Sequence, residues 1–178
     1  MLSELEWEQA QQRLTVAWHK GDLSVAFAEI DQVLAQGTPG MKGQALVYRG
    51  MIRESKGERS SAKEDWVSAI SYAPIGSYSR YVAERSLGEL CERSDNRDEA
   101  ARWYRAALVT CAEGDKFSAG LALKPFLRLR GSQLSEEDRK LAITVIEKSW
   151  GVVELSGTPD LVNLNEAAEA LASKASQF

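Results

Sequence analysis

Apolar residues recur along this chain at helical intervals of three and four, and no stretch keeps the strict alternation that a half-buried strand would need. Ala, Leu, Glu, Gln, Lys and Arg fill the intervening windows, so the pattern predicts an all-α fold. Ser3 followed by Glu6 reads as a capping box, and Leu5, Ala10, Leu14, Ala17 and Trp18 give the first helix an inward stripe up to Lys20-Gly21. Asp22 caps a second helix with Val25, Ala26, Ile30, Val33 and Leu34 as its apolar face. The cluster Gly37, Pro39 and Gly40 is expected to break it.

The same grammar returns twice. One pair of helices runs through Ala45, Leu46, Met51 and Ile52, breaks at Gly57, and continues through Ala62, Trp66, Ala69 and Ile70 to Pro74. Another spans about Ile75 to Arg93 and Asn96 to Cys111. Hairpins at a near-constant interval call for a search for internal repeats.

Residues 43–76 carry Gly50, Gly57, Ala62, Trp66, Ala69, Ile70 and Pro74 in the order of a 34-residue helix-turn-helix unit. Leu87-Gly88, Ala100, Tyr104, Ala107 and Leu108 follow the same order, with Asp95-Asn96 in place of the turn glycine and Ala112 in place of the proline. The first unit keeps Gly21, Ala26, Ile30 and Leu34 but has Leu14 where a small residue belongs. On these residues the chain resembles the tetratricopeptide repeat family, from residue 7 to about 112. Ala26, Ala62 and Ala100 stand 36 and 38 residues apart, so the turns between units should be longer than usual.

The resemblance implies one tetratricopeptide-like domain over residues 1–178, with repeats at about 7–38, 43–76 and 81–112. It would be a right-handed superhelix of about three hairpins. Beyond Gly114 the expectation is a degenerate fourth hairpin and a C-terminal capping helix, over residues 114–178. In detail, a helix from Lys116 to Leu129 should be interrupted near Pro125, a long one should follow Ser135 with Asp138 as its capping partner, and a last one should start at Thr158-Pro159. First helices of such arrays line a concave groove. By resemblance the groove positions are Gln11, Thr15 and Trp18 in the first unit, Val47, Met51 and Glu54 in the second, and Arg85, Glu89 and Glu92 in the third. These lack the lysines and asparagines of the family members that clamp C-terminal carboxylates. Two intra-unit ion pairs are also expected, Arg13 with Glu29 and Arg49 with Asp65.

Catalytic chemistry finds little to work with. His19 is the single histidine, the glycines at 37, 40 and 43 lack the spacing of a phosphate loop, and the carboxylate runs fall in first turns of helices, where the macrodipole favours them. Cys91 and Cys111 read as buried fillers and make neither a disulfide framework nor a zinc site, so no cofactor or metal is expected. With 22 basic and 26 acidic side chains the net charge is −4, which argues against nucleic-acid partners. The N-terminus lacks the basic start and apolar run of a signal peptide, and no stretch approaches a membrane span, so a cytoplasmic location is expected.

The function expected from the sequence is therefore a noncatalytic adaptor, scaffold or chaperone-like protein that holds a protein or peptide partner. Two other readings stay open: an inhibitor or immunity-type protein that masks a toxin or enzyme, and a self-assembling structural protein that forms homo-oligomers.

Overall fold

A computed structural model describes residues 1–114, 120–130 and 133–153, and every regular element of more than one residue among them is an α-helix. In chain order these are α1 (Glu4–His19), α2 (Leu23–Gln36), α3 (Pro39–Ser55), α4 (Arg59–Tyr72), α5 (Tyr78–Arg93), α6 (Arg97–Glu113), α7 (Gly120–Arg130) and α8 (Glu136–Val153). The chain divides into two compact units, Met1–Pro74 and Ile75–Phe178. Within the first, α1 packs on α2, α2 on α3 and α3 on α4. Within the second, α6 packs against α5, α7 and α8.

Three turns are built alike. Gly21, Gly57 and Asp95 each adopt a positive φ, at 75°, 80° and 56°. In each turn the backbone N–H of that residue donates three residues back, to Trp18, Glu54 or Glu92. The next N–H donates five back, to Ala17, Arg53 or Cys91. The following residue then caps the second helix, through its side chain for Asp22 and Asn96 and without a side-chain bond for Glu58. Local geometry thus repeats where the residues do not: Asp95 takes up the left-handed backbone that glycine occupies in the other two turns.

The helices that these turns join run antiparallel, because early residues of one meet late residues of the next. A Cβ on Gly43 would touch Ala73, whereas Arg53 near the end of α3 bonds Asp65 and the Ser61 carbonyl in the first half of α4. In between, the Trp66 indole covers Gly50, and in the second unit the Tyr104 ring covers Gly88 in the same way. At the corresponding place in α1 and α2 stand Leu14 and Ile30, both fully buried in one cluster with Trp7, Ala10 and Ala26. A glycine beneath a large ring and two medium aliphatics fill comparable space, which is why Leu14 fits where a small residue was expected.

Both expected ion pairs form. Arg13 grips Glu29 through two bonds of 2.6 and 2.8 Å at the surface. Asp65, only 3% exposed, takes Arg49 on one oxygen at 2.8 Å and Arg53 on the other at 2.8 Å. Ser3 and Glu6 complete the capping box, and the Ser3 backbone N–H, with its hydroxyl, holds the Glu6 carboxyl below its ordinary range.

Several expectations are corrected. Leu5 and Val25 face solvent, because the buried stripe of α1 runs through Trp7, Ala10, Leu14 and Ala17, and Leu5 lies half a turn away from Leu14. Of the breaker cluster only Gly37 ends α2. Thr38 caps α3, Pro39 opens it where its missing N–H would have no partner anyway, and Gly40 is helical. Pro125 does not interrupt α7, whose Ala122, Leu123 and Phe126 are fully buried, so packing outweighs the lost backbone bond. The third pair opens at Tyr78 behind the Ser77 cap rather than at Ile75. Ser135 caps α8 as expected, its hydroxyl oxygen accepting the Asp138 backbone N–H at 3.1 Å. The segment from Lys116 to Ala119 and the helix expected from Thr158-Pro159 lie outside the described residues.

Cys91 and Cys111 are both buried free thiols, and both belong to the second unit. No described helix is long and apolar enough to cross a membrane.

Candidate functional site

In the first unit a shallow groove of about 420 Å³ opens along α1. Its wall is a single helical face, Glu8, Gln11, Gln12, Thr15 and Val16, and Tyr48 from α3 closes the other side. Spacings of three and four bring these five side chains onto one stripe. Tyr48 is half-buried and its ring packs against the first unit's core, which fixes it in place.

A chain of amides ties α1 to α3 beneath the groove. The Gln44 Oε1 accepts both the Trp7 indole N–H at 2.8 Å and the Gln11 Nε2 at 3.2 Å. Two donors on one oxygen fix which way the Gln44 amide points and spend one Gln11 N–H, leaving the Gln11 carbonyl oxygen as an acceptor on the groove wall. Val16 is 52% exposed and supplies an apolar contact beside the Tyr48 ring.

The six residues of the first unit that were expected in the groove divide into three groups. Gln11 and Thr15 line it. Trp18 is half-buried against the core, with its ring centroid 6.2 Å from that of His19, and Val47 is buried, so both serve packing. Met51 and Glu54 are half-buried on α3, and neither lines the groove. Glu8, Gln12, Val16, Tyr48 and the Gln44 relay are not among the residues expected at the groove. The signal for Glu8, Gln12 and Val16 was present, since they continue the Gln11 and Thr15 face at four-residue steps. Tyr48 required knowing which turn of α3 lies opposite.

In the second unit Arg85 and Glu89 face each other one turn apart at 3.3 Å. Glu92 receives the Tyr104 hydroxyl at 3.1 Å and the Arg128 guanidinium, so this acid ties α5 to α6 and α7. Arg105 bonds Asp138 at 2.6 Å and fastens α8 to α6. Burial alone would raise the Asp138 pKa, but the Arg105 and Ser135 bonds outweigh it and hold the carboxyl below its ordinary value. Glu84, 2% exposed, is bonded by Arg80 at 2.9 Å and by the Thr110 hydroxyl at 2.7 Å, yet burial pushes its pKa up. The polar stripe of α5 is thus spent largely inside its own unit.

His19 is exposed at the end of α1, and its Nδ1–H donates to the Thr15 carbonyl at 2.7 Å. Among the described residues no group of three or more His, Cys, Asp or Glu side chains is placed to hold a metal ion. Comparisons with protein-family models, with curated proteins and with solved structures find no match to this chain.

Proposed function

We propose that this chain is a noncatalytic protein-binding module of the tetratricopeptide kind, and that the α1 groove holds a segment of a partner protein. The observation that carries the reading is the groove itself: Gln11 and Thr15, placed there by the resemblance, stand with Tyr48 and Val16 around one open trough. Its lining includes an aromatic ring, an aliphatic side chain, and two amides, of which Gln11 is oriented by its bond to Gln44, a mixture suited to the apolar anchors and backbone bonds of a docked segment. The recurring turn geometry and the paired Gly50–Trp66 and Gly88–Tyr104 contacts support the repeat assignment. A cytoplasmic place of action fits two cysteines that form no disulfide.

The test is affinity capture from the native cell with the full chain and with Val16→Asp, which changes an exposed groove residue. Partners that disappear with the variant place recognition at this groove. A partner set that is the same for both proteins moves recognition elsewhere.

A further inference from the structure

The groove wall continues beyond the groove. Leu5, 64% exposed, stands on α1 eleven residues before Val16, an interval that returns to nearly the same side of a helix and covers about 16 Å. Glu8 and Gln12 lie between them on that side. The exposed stripe of α1 is therefore apolar at both ends and acidic near its middle.

The acid is not accounted for by the helix. Glu4 and Glu6 lie in the first turn of α1, where the macrodipole favours carboxylates, and Glu6 is engaged by Ser3. Glu8 lies past that turn, four residues from Glu4, an arrangement of like charges that weakens a helix. The only arginine of α1, Arg13, is committed to Glu29, and no basic side chain among the described residues pairs with Glu8. Its carboxylate stands at the rim of a groove whose other lining side chains, Gln11, Gln12, Thr15, Val16 and Tyr48, carry no formal charge.

We infer that the α1 stripe recognises a basic, apolar-flanked segment of another protein, seating a lysine or arginine on Glu8 between apolar side chains set over Leu5 and against Val16 and Tyr48. This rests on the reading of the groove as a protein-binding site and adds the partner's chemistry to it. The bound cation relieves the Glu4–Glu8 repulsion. The Gln11 carbonyl oxygen accepts a backbone N–H of the segment, and the 16 Å between apolar ends matches about five residues of extended chain.

The experiment selects binders from a displayed library of random peptides on the immobilised full chain, then measures their affinity for the wild type, Glu8→Lys and Val16→Asp. Both sites of change are on the surface, and circular dichroism verifies that the variants are folded. Expected is enrichment of Lys or Arg flanked by apolar residues, roughly fivefold weaker binding to Glu8→Lys, and near loss with Val16→Asp. Binders that need Val16 but show no basic enrichment and ignore Glu8→Lys overturn the charge inference and leave the groove reading standing. Binders indifferent to Val16→Asp overturn both. Concentration-dependent self-association of the bare chain, abolished by Glu8→Lys in light scattering, assigns the stripe to a second copy and also overturns the inference.

Discussion

The Trp66 indole lies on Gly50 so closely that a Cβ at position 50 would stand 2.7 Å from its Cδ1. Trp66 is 1% exposed and has no slack, so the ring has nowhere to retreat. Gly50→Ala is expected to lower stability by about 1–3 kcal/mol despite alanine's better helix propensity. Urea unfolding followed by tryptophan fluorescence measures it, and an unchanged or raised midpoint would show that α3 and α4 can part without cost.

Asp95 occupies the left-handed backbone region at φ 56°, the place that glycine holds in the two sister turns. Asp95→Gly relieves that strain and loses some through the added freedom of the unfolded chain. The net expectation is a gain of about 0.5 kcal/mol. A thermal melt that shows a loss would mean the Asp95 side chain supports the turn.

Glu58 begins α4 without a side-chain cap, whereas Asp22 and Asn96 supply one at the equivalent places. Glu58→Asp shortens the side chain to a length that can reach the N3 amide and should add about 0.5–1 kcal/mol. The Glu58 pair with Lys56 at 2.7 Å is exposed on both sides and subtracts little. Denaturation midpoints of Glu58→Asp and Glu58→Ala compared with the wild type decide it, since only the aspartate should stabilise.

Glu84 gives the second unit a pH dependence of defined sign. Its folded pKa is raised above the ordinary 4.5 by burial, against the Thr110 and Arg80 bonds that favour the anion. Relative to the unfolded chain, the stability it contributes is complete below about 4.5 and is lost as pH rises through the folded value. Glu84→Gln removes that titration and should flatten the wild type's decline over that window. Equal slopes of unfolding free energy against pH in both proteins would place the dependence on another group.

What the sequence disclosed follows from how local each feature is. Turns and caps were readable because Ser3, Asp22, Gly57 and Asn96 act within five residues of themselves, and helix type followed from periodicity. The Arg49–Asp65 pair was readable because a hairpin of known turn length sets which positions face each other. Hydrophobicity alone points Leu5 and Val25 inward, because it does not give the azimuth of a stripe. The azimuth needs the buried neighbours Trp7, Ala10 and Leu14 as reference. Leu14 itself looked anomalous because the compensation comes from Ile30 on the partner helix. The groove was half legible: Gln11 and Thr15 came with the resemblance, but Tyr48 and the Gln44 relay depend on the packing of α1 against α3. Glu92 shows the converse, a residue expected at a surface that its own unit occupies with Tyr104 and Arg128.

The placement of sulfur gives the molecule a built-in separation of signals. Both thiols sit beneath the surface of the second unit and the first carries none, so a thiol-specific reagent added to the native chain reports only on openings around Cys91 and Cys111. Indole emission from Trp7, Trp18 and Trp66 can be followed in the same cuvette once Trp103→Phe and Trp150→Phe have removed the indoles of the second unit. Labelling that proceeds while that emission holds steady would time the second unit's excursions independently of the first.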